Sequence, residues 1–345
     1  MPTVRNFVDC LAESKRKHNA TNLFLGNGFS IGASSKFSYQ SLYQASCKAG
    51  LPLRVEQLFN TYGTANFEQI LRFLHDGAEI ADLYELESAI IRADYDSLKC
   101  LLAETISSVH PHDQSELDGK KLDSCRRFIR QFNNLFTVSY DLLVYWANFD
   151  AEGHGYFSDG FGRIEDFDGL VFKGDWKEGP CLYFLHGALH LFHFENGARK
   201  LRRENNATLL DQAKDEIKAN EYPLVITEGK SSQKWRWIQS NNYLRSCWEA
   251  LARSEGSLFV YGHSLSDQDE HLIDTLSCNT SIEDLYVGLH GDPENSNNAF
   301  IDSRAKKIQE KRKDWCNRRK LTDDKSKLKV SYFSSNSAQV WDDLQ

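Results

Sequence analysis

Short, unbroken apolar runs recur along this 345-residue chain: Leu23 to Leu25, Leu135 to Val138, Leu182 to Leu185, Leu224 to Thr227, Leu258 to Tyr261, Leu285 to Leu289 and Leu328 to Phe333. Continuous rather than alternating hydrophobicity suits strands covered on both faces, and several runs end in glycine or a small polar residue. The pattern predicts an α/β fold with a Rossmann-like, mostly parallel sheet and helices on both faces. Between the first two runs, apolar residues recur at helical spacing: Phe67, Ile70, Leu71 and Leu74, then Leu98, Leu101, Leu102, Thr105 and Val109, then Leu122, Cys125, Ile129 and Phe132. This predicts one domain over 1–345 with a large helical insertion over 38–133, broken near Pro111. A second, partly irregular insertion is expected over 150–220. Within it, Asp150 to Lys177 is rich in Gly, Asp and Phe and suits a loop or lid, and the charged stretch Arg199 to Glu221 reads as a helical excursion.

The first run leads straight into Gly26-Asn27-Gly28-Phe29-Ser30. Closely spaced glycines let a backbone turn sharply and approach a pyrophosphate, while free N–H groups and the positive end of the next helix offset anionic charge. A tight strand-to-helix connection with no ligand explains the same residues. Three later runs end in comparable polar turns. Phe136-Thr137-Val138 opens into Ser139-Tyr140-Asp141, where Asp141 suits either a ligand crevice or a helix N-cap. Leu185-His186-Gly187 sets an imidazole at a strand end, where a pKa near about 6.5 lets it accept a proton at neutral pH. A hydrogen-bonded structural histidine is the other reading. In Gly262-His263-Ser264, Gly262 and Ser264 suit contact with a ribose or phosphate, and Asp267 and Glu270 beyond them have capping-box spacing.

His186, His190 and His193 would cluster on a helix, but Leu189 to Phe194 reads as extended, which sends His190 and His193 to opposite faces; no metal is expected. The eight cysteines contain no close pair, which argues against structural zinc. A formal net charge of -8 argues against a dedicated nucleic-acid binder. The basic segment Arg304 to Lys320, with Ile308 and Trp315 on one side, reads as a helix with one buried edge and a solvated basic face. No segment approaches the roughly 20 apolar residues that span a bilayer, so no membrane association is expected, and scattered thiols fit a cytoplasmic protein.

The four polar turns, Gly26 to Ser30, Thr137 to Asp141, Leu185 to Gly187 and Gly262 to Leu265, occur in the order found in the sirtuin-like NAD-consuming superfamily, which the chain resembles over most of its length. The wider phrases Phe136 to Trp146 and Leu185 to Phe192 look like one bacterial branch long labelled as a domain of unknown function. The resemblance implies NAD as substrate. Gly26, Asn27, Gly28, Phe29 and Ser30 would hold the pyrophosphate, Gly262 and Ser264 the adenosine side, and Thr137 and Tyr140 further parts of the dinucleotide. Ser139, Asp141 and His186 would face the nicotinamide ribose, with His186 as the base of an NAD glycohydrolase. In related bacterial proteins such activity serves defence against phage.

Two departures matter. The protein deacylases of the superfamily carry a four-cysteine zinc module that this chain lacks, which points to water as the acceptor. Ser139 stands where the usual pattern has asparagine, and a hydroxyl lacks the two-ended reach of an amide. A non-catalytic NAD or ADP-ribose sensor is therefore the alternative, and a phosphodiester enzyme using Asp267, Asp269 and His271 a third reading. An effector that exhausts a cofactor needs an off state, which directs attention to the 38–133 insertion as the place for contact with a second copy or a defence-system partner.

Overall fold

The computed structural model describes residues 3–342 except 151, 165–166, 175, 177–178, 203–206, 220 and 228–229. Lys177, at the end of one expected loop, lies outside the described residues. Six of the apolar runs enter one sheet: β2 (Thr21–Leu25), β3 (Asn134–Thr137), β6 (Cys181–Phe184), β10 (Gly256–Tyr261), β11 (Ile282–Leu289) and β12 (Lys329–Ser334), with β1 (Val4–Arg5) at one edge. The order is β1-β12-β11-β10-β2-β3-β6, and every neighbouring pair is parallel. Helices cover both faces, which is why β2 is buried at all five positions. The chain steps outward from β2 to β3 to β6, then returns to β10 beside β2 and steps outward the other way. Its direction thus reverses between β2 and β10, and in open α/β sheets the crevice beyond the carboxyl ends at such a reversal is where ligands sit.

Helix α1 (Phe7–Lys17) is capped by the Asn6 side chain and ends in Lys15, Arg16 and Lys17, which suit its negative pole. Its Phe7 ring packs against Phe259 of β10 and Phe333 of β12. Between β2 and β3 lie α2 (Asn27–Ala33), α3 (Tyr39–Lys48), α4 (Leu53–Thr61), α5 (Phe67–Leu83), α6 (Ala89–Val109) and α7 (Gly119–Ile129). The buried stripes are those the spacing predicts, with Phe67, Ile70, Leu71 and Leu74 on α5 and Leu98, Leu101 and Leu102 on α6.

The segment 150–220 differs from expectation. β6 lies inside it and belongs to the main sheet. The glycine- and phenylalanine-rich stretch forms β4 (Phe161–Ile164) and β5 (Phe167–Phe172), an antiparallel pair in a second sheet with β7 (Gly187–Phe194), β8 (Gly197–Lys200) and β9 (Pro223–Val225), in the order β4-β5-β8-β7-β9. Helix α9 (Leu209–Lys218) is the only part of Arg199 to Glu221 that is helical among the described residues. The Leu224 to Thr227 run forms the edge of this second sheet and not a parallel strand; Pro223, which has no N–H to donate, is tolerated at such an edge. His190 is buried and His193 exposed, as an extended β7 requires.

The remaining helices are α8 (Leu143–Asn148), α10 (Ser231–Ser240), α11 (Asn242–Arg253), α12 (Glu270–Cys278), α13 (Ser296–Arg318) and α14 (Asp323–Ser326). Helix α13 buries Ile308, but its basic residues are not all solvated. Arg312 is fully buried and donates to the carbonyls of Leu276, Asn279 and Ile282, while Arg304 pairs with Asp267 and Glu270. Asp267 and Glu270 therefore serve as partners of α13 and form no capping box. Burial would raise the Glu270 carboxyl, yet Lys311, Lys307 and Arg304 pull it down to about 2.

Candidate functional site

The glycine turns at the β2 and β10 ends press against each other. Gly26 N–H donates to Tyr261 O at 3.0 Å, Gly28 N–H to Gly262 O at 2.8 Å and Phe29 N–H to Gly26 O at 3.0 Å. A Cβ on Gly28 would lie 2.6 Å from Gly262 Cα, and one on Gly262, whose φ is +67°, would lie 2.5 Å from Phe29 N. This corrects the phosphate-cradle reading. The glycines are required because one backbone approaches another, and three of the amides the cradle would offer are already bonded. Asn27 and Gly28 remain half-exposed and Ser264 is exposed, so a ligand can reach the outer side of this seam but not its inside.

The β3 end is drawn into the same rim. Ser30 and Ser139 both donate their hydroxyls to Asp141 Oδ2, and the two hydroxyls lie 2.9 Å apart. Asp141 Oδ1 accepts from Leu143 N at 2.8 Å, and Thr137 Oγ1 accepts from Ser139 N at 3.1 Å. One oxygen of Asp141 thus serves the start of α8, next to the N-cap position that Leu142 holds, and the other gathers the two serine hydroxyls. All of Ser30, Thr137, Ser139 and Asp141 are buried. Tyr140, between them in sequence, donates its hydroxyl to Ile226 O at 2.6 Å and lies 3.2 Å from Glu68 Oε1.

His186 occupies the corner where the chain leaves β6 for β7. Gly187 makes this corner: its φ is +76°, and a Cβ there would fall 1.7 Å from Leu224 O. His186 Nε2 is 3.1 Å from His271 Nε2, and His271 Nδ1 is 2.9 Å from Ser231 Oγ. Trp248 forms the apolar wall, with its ring 4.8 Å from that of His271 and its Nε1 donating to Leu185 O. Burial, then the Lys234 charge, holds His186 well below the usual imidazole range. Burial likewise pushes His271 down to about 3. Both rings are thus neutral at pH 7, and their Nε2 atoms share a single proton, one donating and one accepting.

Beside the imidazoles lies a buried charge cluster in which Asp269 of the third sequence reading meets Glu68 and Lys234, two residues that no sequence motif singled out. Lys234 of α10, fully buried, reaches Glu68 Oε2 at 2.8 Å and Asp269 Oδ1 at 2.9 Å. His263 Nε2 donates to Asp269 Oδ2 at 3.1 Å, its tautomer set by Leu265 N–H on Nδ1. Burial opposes the Lys234 charge, but Asp269 and Glu68 keep it protonated. Burial would raise Asp269 as well; Lys234 and the His263 hydrogen bond hold it well below the usual carboxylate range. Glu68 is raised, chiefly by burial.

His186, Asp269 and His271 each present a ligand atom within 4.8 Å of the others, the one such group among the described residues. Its carboxylate is already engaged by an ammonium on one oxygen and an imidazole N–H on the other. A divalent ion would sit beside that buried ammonium in a low-dielectric setting, so the donor set suits the lysine better than a metal. Asp267, by contrast, is exposed and paired with Arg304, which separates it from Asp269 and His271.

Fold and site together define a Rossmann-like α/β protein with a buried ionic and imidazole cluster at its topological switch point. The family model described as "Domain of unknown function (DUF4917)" matches residues 23–341, and the chain belongs to that family. Among curated proteins nothing matches it. Among the described residues no helix is long and apolar enough to cross a membrane.

Proposed function

We propose that this protein hydrolyses NAD at the nicotinamide–ribose bond, as a bacterial, cytoplasmic effector of defence against phage. The observation that carries the reading is that the four polar turns, at the ends of β2, β3, β6 and β10, share one carboxyl rim of a parallel sheet at its point of reversal. Loss of nicotinamide leaves positive charge on the ribose, and the carboxylates of Asp141, Glu68 and Asp269 oppose that charge along the rim. Ser139 donates its hydroxyl hydrogen to a hydrogen bond with Asp141, so toward a ribose hydroxyl it acts as an acceptor. His186, neutral at pH 7, takes the proton of the attacking water once its hydrogen bond to His271 opens. The diphosphate would run along the half-exposed Asn27–Gly28 turn and Ser264, with no cradle of free amides.

The mutual satisfaction of Ser30, Ser139 and Asp141 favours one second reading, a protein that binds NAD or ADP-ribose without turnover. Chromatographic detection of nicotinamide after incubation with NAD, beside calorimetric titration of NAD, separates the two. The expected result is binding with release of nicotinamide that His186→Ala abolishes. Binding without release, with release appearing in Ser139→Asn, would favour the sensor; absence of binding would refute both.

A further inference from the structure

β9 is the edge of the second sheet, and beside it opens a cavity of about 340 Å³. One wall is α6 of the helical insertion, with Lys99, Cys100 and Ala103; another is α10, with Trp237; the floor is Leu224 to Thr227. Four features limit what fits there. Trp237 and Tyr222, 49% and 39% exposed, both line the cavity, and the Lys99 ammonium stands 5.8 Å from the Trp237 ring centre, so the opposite face of that indole is the one offered to an occupant. Thr227 lines the cavity but is only 2% exposed, and its buried Oγ1 has no hydrogen-bond partner among the described residues; a turn of this side chain toward the cavity would let an occupant complete it. As an edge strand, β9 presents outward backbone donors and acceptors. Lys99 and Asp96, of opposite charge, both line the cavity, so no net charge selects an ion.

We infer that this cavity is a second ligand site, for an uncharged planar heteroaromatic molecule of the purine-nucleoside class, its ring stacked on Trp237 and its polar edge on the Thr227 hydroxyl and the β9 backbone. An aliphatic chain would leave Thr227 unpaired, and a phosphate would lie against Asp96 as well as Lys99. Occupancy reaches the candidate site directly. Ile226 N–H donates to His186 O at 2.9 Å and Ile226 O accepts from Tyr140, while α10 carries Trp237 at the cavity and Lys234 in the charge cluster. Control of NAD turnover by this ligand rests on the function proposed above; the ligand site itself does not.

Adenosine and guanosine are titrated into the full chain by calorimetry and tryptophan fluorescence, with AMP for comparison. Saturable binding to one site is expected. Thr227→Val should weaken it about tenfold, as for one lost neutral hydrogen bond, without lowering the thermal stability of the free protein. Trp237→Ala, at a half-exposed position, should weaken it at least about fivefold. Both variants should keep NAD binding. Failure of both nucleosides to bind, unchanged affinity in both variants, or much tighter binding of AMP would overturn the inference. Loss of NAD binding together with adenosine binding would do so too, by making the cavity the adenosine end of one dinucleotide site. If wild type binds adenosine at this cavity but not NAD, only the NAD reading falls.

Discussion

Replacing Lys234 by methionine keeps much of the side-chain volume and removes the one ammonium that Glu68 and Asp269 share. The side chain is fully buried with its Nζ 2.8 and 2.9 Å from the two carboxylates, so Lys234→Met leaves both without a counter-ion. Breaking a buried ion pair from one side costs about 3–5 kcal/mol. At ~2.1 cal/mol/K per residue, unfolding 345 residues carries an entropy of about 0.7 kcal/mol/K, so Tm at pH ~7.5 should fall by about 4–7 °C. The pH dependence has a defined sign. Burial and mutual repulsion raise both carboxyls in the variant above their unfolded values near about 4, so their penalty is full at neutral pH and relieved as pH falls. Asp269 in the wild type is held low and its contribution stays intact over the same interval. Glu68 is already raised in the wild type, so the slopes of the two proteins are what is compared. Scanning calorimetry at pH ~7.5 and ~5 should show the deficit shrinking at the lower pH, and Lys234→Met with Glu68→Gln and Asp269→Asn should recover most of it. A Tm loss below about 2 °C at both pH values, or a deficit that grows on acidification, would refute the reasoning.

Gly262 and Gly291 have almost the same φ, +67° and +68°, but only Gly262 is crowded, since nothing lies within 4 Å of a Cβ at Gly291. Gly291→Ala should cost about 1–2 kcal/mol from φ alone, and Gly262→Ala should lower Tm at least about twice as much, measured by calorimetry on both. His271, held down to about 3, refuses a proton that the unfolded chain takes up near about 6.5. Its contribution is therefore complete above that pH and lost as pH falls toward about 3, with a slope of up to about 1.4 kcal/mol per pH unit, and His271→Gln should flatten the stability profile between pH ~4.5 and ~6.5. Nicotinamide release, if the proposed activity holds, should survive dialysis against EDTA, because Lys234 holds the carboxylate that a metal would need. Loss of activity with EDTA and its return with one divalent ion would reverse the assignment of that cluster.

The main sheet was legible because burial on both faces leaves runs such as Leu23 to Leu25 with no polar alternation. Leu224 to Thr227 has the same character but a different neighbour: a strand's composition reports how deeply it is buried, not the direction of the strand beside it. The β4–β5 pair escaped notice because Gly162 and Gly169 interrupt it and its partner β8 lies far along the chain. At the site, His186, Ser139 and Asp141 were visible at strand ends. Glu68 and Lys234 were not, since each is an ordinary polar position within a helix, and Lys234 meets Glu68 across 166 residues and Asp269 across 35. The glycines exposed a limit of another kind. Gly26 and Gly28 were correctly read as places of close backbone approach, but spacing alone does not say whether a phosphate or a second peptide segment of the same chain makes the approach.

That second peptide has a mechanical consequence. With Gly26 and Gly28 bolted to Gly262, the tips of β2 and β10 form one fixed jaw, and neither can swing to admit or release a ligand without the other. For the ligand proposed above, entry would then depend on the opposite jaw, α5 and α10, whose grip on the rim includes the ammonium bridge from Lys234 to Glu68 and Asp269. A single buried salt link thereby becomes the latch of the crevice.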